Sequence, residues 1–368
     1  MKKEINSAEN IVENVCKIKK NERVLIIANP GTAAIAQDLY ASSMEAGAKT
    51  VLIYQCTKTS FDNAEPEVLA AIKTNPDVCF SISENKLGKD PESAAHPLIA
   101  EDGQKYNHIF DYLLEGKKSM RAVWTPGITQ DMFDRTVNID YDELKKRCKR
   151  LGELFKNVVS VTVTSPGGTN ISVPVKGRAL MYDDGDFSKP GNGGNIPAGE
   201  VFISPLVGDG EGTGCQGTIV FDGSMTFSDG DALLETPITC KVQDGYVSEI
   251  TGGSEARRLI KTITEAELRS FINEKEGKLP EGMGAVYKKN ARNIGELGIG
   301  LNPSARITGN MLEDEKAFTT CHFAIGENYD NDAPSLIHLD GIVRNPTISL
   351  LYEDGTMNTI LDNGSLTI

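Results

Sequence analysis

Apolar runs alternate with amphipathic segments over the first part of the chain. Residues 23–28 form a short, continuously apolar run of the kind found in strands buried on both faces. A turn containing proline and glycine leads into an amphipathic segment at residues 33–47, and a second apolar run follows at residues 50–54. A further helix at residues 66–74 and a strand at residues 78–81 repeat this unit. Such alternation with short loops predicts a doubly wound parallel sheet.

The pattern changes to short strands after about residue 150. Residues 158–164 and 169–175 alternate β-branched with polar side chains, and the Ser165-Pro166-Gly167-Gly168 turn between them predicts a hairpin. Further strand-like stretches follow, and they are interrupted by a helix predicted at residues 264–274. This second pattern is typical of a β-rich α+β domain.

The length of the chain agrees with this division. At 368 residues it fits two domains, since domains usually contain about 100–200 residues. We therefore expect an α/β Rossmann-like domain at residues 1–150 and a β-rich, metal-binding catalytic domain at residues 151–368. The turn around Gly31 lacks the G-x-G-x-x-G spacing of a dinucleotide site, so a helix-start turn is the simpler interpretation.

Charge and cysteine content exclude several classes of protein. The formal net charge is −14, and the one basic run, at residues 145–150, lies in an amphipathic helical pattern, so no nucleic-acid partner is expected. The seven cysteines are scattered without a C-x-x-C pair, which indicates neither a disulfide framework nor a zinc knuckle. No apolar leader or membrane-length run occurs. These features predict a cytoplasmic enzyme without a membrane partner.

Residues suited to binding metals are concentrated toward the C-terminus. Two of the four histidines lie there, and a single residue separates His338 from Asp340. On a strand, residues i and i+2 point to the same face, so this imidazole and carboxylate lie side by side. Glu296 stands among small and apolar residues, where an unpaired charge is costly. His338 and Asp340, together with Glu296, therefore predict a divalent-metal site.

Three further residues extend this set but leave its chemistry open. Glu200 alone is more simply explained as a solvated glutamate, and His322 alone as a hydrogen-bonded core histidine. With Glu315 included, two imidazoles and up to four carboxylates are enough for two ions of the zinc, manganese or cobalt type. His322, His338 and Asp340 alternatively suit the two-histidine, one-carboxylate triad of an iron(II) enzyme.

Five short segments follow one another in a recognisable order. They are Gly199-Glu200-Val201-Phe202, Glu296-Leu297-Gly298-Ile299-Gly300-Leu301-Asn302-Pro303, Glu315-Lys316, His322-Phe323-Ala324-Ile325-Gly326 and His338-Leu339-Asp340. Together they resemble the aminopeptidase T (thermophilic leucyl aminopeptidase) family of metallopeptidases over about residues 150–345. A shorter branch that the chain also resembles contains the 2,5-dihydroxypyridine dioxygenases, which are mononuclear iron enzymes that keep the H-x-D pair.

The resemblance implies a homodimeric metallo-aminopeptidase that acts on small peptides and uses two ions of zinc, cobalt or manganese. It implies the metal ligands Glu200, Glu296, His322, His338 and Asp340. It also implies that Glu315 is a further ligand or the general base. Tyr329 falls where the peptidases have a tyrosine that stabilises the tetrahedral intermediate.

Some features depart from the peptidases. Glu315 lies seven residues before His322, farther than the corresponding glutamate of the peptidases, and only 16 residues separate His322 from His338 (338 − 322). In the dioxygenase branch a histidine replaces the glutamate of the Glu-Leu-Gly motif, whereas this chain has Glu296. The leading hypothesis is therefore a metallo-aminopeptidase. An iron(II) ring-cleaving dioxygenase is the alternative, and a non-catalytic relative is the third.

The substrate is expected to be a small molecule or a short peptide, with a pocket formed by loops and by the N-terminal domain. Trp124, the single tryptophan of the chain, follows an apolar run in that domain. It is a candidate for the wall of such a pocket, and packing in the core is the alternative.

Overall fold

The computed structural model describes residues 5–59, 62–318 and 320–368. The strands in chain order are β1 Arg23–Ala28, β2 Lys49–Tyr54, β3 Val78–Ile82, β4 Leu98–Ile99, β5 Lys105–Tyr106, β6 Arg121–Trp124, β7 Val158–Thr164, β8 Asn170–Pro174, β9 Met181–Asp183, β10 Gly193–Asn195, β11 Glu200–Ile203, β12 Gln216–Phe221, β13 Ser224–Met225, β14 Ala232–Leu233, β15 Ile238–Gln243, β16 Tyr246–Thr251, β17 Ile294–Gly300, β18 Thr320–Gly326, β19 His338–Arg344, β20 Thr347–Tyr352, β21 Met357–Asp362 and β22 Ser365–Leu366.

Helices connect many of these strands. The α-helices are α1 Ser7–Asn10, α2 Ala33–Glu45, α3 Pro66–Lys73, α4 Pro91–Ala95, α5 Ile109–Asp111, α6 Gln130–Arg135, α7 Tyr141–Leu154, α8 Ser254–Lys275, α9 Met283–Asn290 and α10 Met311–Asp314. A 3-10 turn at Pro30–Thr32 precedes α2, and π-helical turns at Ile11–Val15 and Tyr112–Gly116 follow α1 and α5.

The chain divides into two compact units. The first unit contains Met1–Lys145 and Asp183–Ala198, and the second contains Lys146–Tyr182 and Gly199–Ile368. This partition differs from the expected single boundary at residue 150, because the glycine-rich segment 183–198 returns to the first unit.

The first unit contains a five-stranded parallel sheet with the order β10-β6-β3-β1-β2. From β1 the chain passes to β2 on one side and then to β3 on the other, as in a doubly wound fold. Every residue of β3 is buried, and only the first residue of β1 is exposed. The predicted α/β parallel sheet is therefore confirmed. The apolar runs of β1 and β3 are strands buried on both faces, whereas β2, at the edge of the sheet, is partly exposed.

The edge strand β10 had no signal in the apolar pattern, because it consists of Gly193, Gly194 and Asn195. A Cβ on Gly193 would lie 2.6 Å from the Ala122 carbonyl oxygen and 3.1 Å from Trp124 Cζ3. Glycine lets the strand approach β6 closely enough to pair with it. Steric fit, and not hydrophobicity, selects the sequence of this strand.

The second unit contains two largely antiparallel sheets, which confirms the predicted β-rich half. One has the order β14-β13-β19-β18-β17-β11-β9, and the other the order β16-β15-β12-β8-β7-β20-β21-β22. The predicted hairpin is formed by β7 and β8, with Val163 paired to Ile171. Four neighbouring strands of the first sheet, β11, β17, β18 and β19, carry the candidate metal ligands.

Helix α8 is much longer than the helix predicted at residues 264–274. Its buried residues begin at Ala256 and Leu259, so the apolar stripe extends two to three turns farther toward the N-terminus. The remaining positions of the helix hold mainly polar and charged residues, together with four exposed apolar ones, Ile260, Leu268, Phe271 and Ile272. None of the helices in the described part of the chain combines the length and the apolarity needed to cross a bilayer.

Candidate metal centre

Strand register brings the histidines and carboxylates to one face of the seven-stranded sheet. Gly298 of β17 pairs with His322 of β18, and Glu200 of β11 pairs with Gly300 of β17. On the other side of β18, Ala324 pairs with Asp340 and Gly326 pairs with His338. Directly paired residues share a face, and so do residues two apart on one strand. Candidate ligands from four adjacent strands therefore lie next to one another on this face of the sheet.

Glycine leaves room for these side chains. A Cβ on Gly298 would lie 2.0 Å from His322 Nε2, so the imidazole rests directly on the bare backbone of β17. All seven residues of β17 and all seven of β18 are buried. The glycines of β17 thus create the space in a buried sheet that a cluster of polar side chains requires.

Glu296 lies between the two histidines. Its Oε1 is 3.1 Å from His322 Nε2, and its Oε2 is 3.1 Å from His338 Nε2. Burial raises the pKa of the Glu296 carboxyl, but the hydrogen bonds from His322 and His338 outweigh this effect and lower the pKa to about 2. Glu296 is therefore ionised and directs one oxygen to each imidazole.

The pKa values of the two histidines are raised, whereas that of Glu296 is lowered. Burial lowers the pKa of His322, but the hydrogen bond to Glu296 and the charges of Glu200 and Glu296 raise it to about 9. Burial likewise lowers the pKa of His338, and the Asp340 and Glu296 carboxylates raise it well above its ordinary value. Without an ion in the cluster, protons on the imidazoles balance the carboxylates.

A backbone contact fixes the orientation of His338. Its Nδ1 lies 2.9 Å from the Glu327 carbonyl oxygen, to which it donates a hydrogen bond. Nε2 then faces Glu296 and Asp340, which lie 3.1 Å and 3.4 Å away. Proteins commonly present Nε2 of a histidine to a metal by holding its Nδ1 with a backbone carbonyl group.

Lys316 forms ion pairs with two carboxylates of the cluster, Glu200 and Glu315. Its side chain is 1% exposed, and its Nζ lies 2.5 Å from Glu200 Oε1 and 2.8 Å from Glu315 Oε1. Burial raises the pKa of Glu200 to about 8, and the lysine limits this rise. Burial also raises the pKa of Glu315. The role of Lys316 was not predicted from the sequence, although a lysine in an otherwise buried stretch indicates a buried ion pair.

Tyr329 stands beside the cluster rather than in it. Its ring contacts His338 edge-on, with 5.3 Å between the ring centroids, and Phe202, with 4.9 Å. Partial burial raises the pKa of the phenol, and the nearby carboxylates, Glu296 foremost, raise it further. Tyr329 therefore remains a protonated hydrogen-bond donor, with 52% of the residue exposed.

The donor set fits divalent ions. Among the candidate ligands, three buried atoms have no hydrogen-bond partner, namely Glu200 Oε2, His322 Nδ1 and Asp340 Oδ1. Two groups place their ligand atoms within 4.8 Å of one another, one with Glu200, Glu315 and His322 and the other with Glu296, His338 and Asp340. Each group has one imidazole and two carboxylates without a thiolate, as in catalytic rather than structural metal sites. The structure thus brings together all six residues that the sequence analysis named as ligands or base.

Comparison with known proteins agrees with this architecture. A 2,5-dihydroxypyridine dioxygenase from Pseudomonas putida KT2440 superposes with a TM-score of 0.67 at 17% identity, over 98% of this chain and 96% of that one. AmpT from Thermus thermophilus superposes with a TM-score of 0.64 at 16% identity, over 98% of each chain. Because the sequence identities are this low, the structural similarity establishes the fold alone. No curated protein sequence matched the chain.

A family profile extends the comparison to the sequence. The profile described as NicX: 2,5-dihydroxypyridine 5,6-dioxygenase matches residues 129–367. With the two structures, this match confirms the resemblance to a group that includes both dioxygenases and aminopeptidases. It supports an enzyme of one of these two kinds. Because the match covers more than half of its length, the chain belongs to the 2,5-dihydroxypyridine 5,6-dioxygenase (NicX) family.

Proposed function

We propose that this protein is a metal-dependent hydrolase of the aminopeptidase type that binds two divalent ions. The observation that carries this proposal is the position of Glu296, which directs one carboxylate oxygen to His322 and the other to His338, each at 3.1 Å. A carboxylate between two ligand groups is suited to bridge two ions. The alternative triad requires both histidines on one ion, whereas each of the two groups contains one histidine.

We infer the ligand roles from the same arrangement. Glu200 and His322 would hold one ion, His338 and Asp340 would hold the other, and Glu296 would bind both. Zinc, cobalt and manganese suit this mixture of nitrogen and oxygen donors. When bound, such ions lower the pKa of a coordinated water and polarise a substrate carbonyl.

The remaining residues would handle protons and charge. Glu315 is 17% exposed at the edge of the cluster, and burial raises the pKa of its carboxyl toward the range in which a general base works best. Lys316 holds that carboxylate in place at 2.8 Å. The protonated phenol of Tyr329 would donate a hydrogen bond to the developing oxyanion. Small peptides with a free amino end are the proposed substrates.

One observation favours a second candidate function. The family profile that matches residues 129–367 is named for a 2,5-dihydroxypyridine 5,6-dioxygenase. In that case His322, His338 and Asp340 would hold one iron(II) ion. The substrate would be a dihydroxylated heteroaromatic ring.

Elemental analysis combined with two activity assays separates these candidates. About two equivalents of zinc, manganese or cobalt, with release of leucine from leucine p-nitroanilide, support the hydrolase. One equivalent of iron, with oxygen-dependent consumption of 2,5-dihydroxypyridine, supports the dioxygenase. Absence of metal, with a thermal stability that a chelator does not change, refutes both.

A further inference from the structure

A cavity of about 370 Å³ lies within the first unit, apart from the residues of the metal centre. It opens where β3 and β6 end, and it is lined by Ser81 and by residues of the loops that follow these strands. In open α/β sheets, ligands bind at the carboxyl ends of the parallel strands. The volume lies in the range of small-molecule sites.

The walls of the cavity are held in place by His108. Its Nδ1 accepts a hydrogen bond from the Phe110 backbone N–H at 3.0 Å, so its Nε2 donates to the Gly88 carbonyl oxygen at 3.1 Å. This contact joins the loop after β3 to the start of α5. Phe110 packs edge-on against Trp124, with 6.1 Å between the ring centroids. An aromatic surface is thus preformed on one side of the cavity.

One buried hydroxyl group in the lining of the cavity has no hydrogen-bond partner. Thr125, which follows β6, is 1% exposed, and its Oγ1 has no hydrogen-bond partner. By contrast, the neighbouring Ser81 and Ser83 hydroxyls bond to each other at 3.0 Å. A buried hydroxyl without a hydrogen-bond partner is energetically unfavourable. A polar ligand atom in the cavity would remove this cost.

Charges of both signs surround the opening. Asp111 and Glu115 line the cavity from positions four residues apart. Both residues are exposed, so their carboxylates are accessible to a ligand at the opening of the cavity. Lys86 and Lys89, on the loop after β3, also line the cavity. An occupant with one positive and one negative group complements this rim.

We propose that the cavity binds a free aromatic α-amino acid. The ring would lie against Phe110 and Trp124, the ammonium group would face Asp111 and Glu115, and the carboxylate would face Lys86. A cation near a tryptophan ring gains further attraction from the ring face. All residues that line this cavity belong to the first unit, and the test does not depend on the proposed function.

The single tryptophan of the chain reports directly on this site. L-phenylalanine is titrated into the full chain while the fluorescence of Trp124 is recorded at wavelengths that phenylalanine does not absorb. We expect a saturable change that is unaltered by a chelator. Phenethylamine, which lacks the carboxylate, and hydrocinnamate, which lacks the ammonium group, should each bind at least about tenfold more weakly. No saturable change, or equal affinity for all three compounds, overturns the proposal.

Substitutions of the charged residues at the opening of the cavity test the orientation of the bound amino acid. Asp111→Asn combined with Glu115→Gln should reduce the affinity for L-phenylalanine to that for hydrocinnamate, whereas Lys86→Met should reduce it to that for phenethylamine. Asp38→Asn combined with Glu67→Gln, on the exposed surfaces of α2 and α3, is the matched control and should bind like the wild type. A rim variant with an unchanged melting temperature that keeps the wild-type preference for L-phenylalanine also overturns the proposal.

Discussion

Lys316 Nζ lies 2.5 Å from Glu200 Oε1, and neither side chain is more than 8% exposed. The same ammonium group lies 2.8 Å from Glu315 Oε1, so one buried cation contacts the buried Glu200 carboxylate and the partly exposed Glu315 carboxylate. Breaking a buried ion pair from one side leaves an uncompensated charge in a region of low dielectric constant. The lysine is therefore a structural requirement of the cluster whether or not ions are bound.

Lys316→Met should destabilise the metal-free protein strongly. Loss of the ammonium leaves Glu200 and Glu315 without their shared cation, and such changes cost about 3–5 kcal/mol. Urea denaturation in the presence of a chelator measures the free energy of unfolding. Lys156→Met removes an exposed pair with Glu153 and is the control, since exposed ion pairs contribute little.

Divalent ions should partly rescue the Lys316→Met variant. An ion bound by Glu200 and His322, next to Glu315, supplies the positive charge that the lysine no longer provides, and binding to the folded state alone adds stability. In saturating zinc, the difference in unfolding free energy between variant and wild type should therefore shrink. If the difference is the same with and without zinc, these carboxylates do not contribute to an ion site.

Gly298→Ala should remove metal binding without unfolding the sheet. The added Cβ would lie 2.0 Å from His322 Nε2, so the imidazole must leave its place between Glu200 and Glu296. We expect the metal content per chain to fall by about half or more, while the far-ultraviolet circular dichroism remains that of the wild type. Wild-type metal content in this variant would show that His322 is not a ligand.

His338→Ala and Asp340→Ala should each lower the metal content. Both residues belong to the group that includes Glu296, and loss of one ligand from such a group usually weakens binding by orders of magnitude. Equilibrium dialysis against zinc followed by elemental analysis measures the effect. His96→Ala, at an exposed position outside the cluster, is the matched control. Full metal content in both variants would refute the ligand assignment.

The sequence predicted those features that local patterns determine. Apolar runs marked β1 and β3, and the i, i+2 rule placed His338 beside Asp340. The strand β10 was missed because its glycines serve close packing rather than burial. The contact between Lys316 and Glu200 was also missed, since 116 residues separate the two and only tertiary structure brings them together.

Tyr329→Phe should lower kcat and leave metal content unchanged. The ring would keep its contacts with Phe202 and His338, so the surroundings of the metal ligands are preserved. Only the phenolic donor is lost, and removal of one donor to an oxyanion typically costs about 100-fold to 1,000-fold in kcat. Steady-state kinetics on leucine p-nitroanilide measures this loss. An unchanged kcat would remove Tyr329 from the proposed mechanism.

The stability of the metal-free protein should fall as the pH rises from about 6.5 to about 9. Burial lowers the pKa of His322, but Glu296 and Glu200 raise it from 6.5 to about 9, so the folded state binds more protons than the unfolded state in this interval. The stabilisation is therefore complete below pH 6.5 and is lost as the pH approaches 9. Urea denaturation in the presence of a chelator, at a series of pH values, measures the free energy of unfolding and tests this pH dependence.

His322→Gln separates this histidine from the other titrating groups. The glutamine does not titrate, so the decline between pH 6.5 and 9 should become shallower in the metal-free variant. Zinc binding to the wild type should strengthen with pH over the same interval, because the ion must displace the proton that Glu296 stabilises on the imidazole. A variant with the wild-type slope would show that His322 carries no such proton. The charge of the carboxylates would then have to be balanced elsewhere, and Lys316 is the cation already in contact with them.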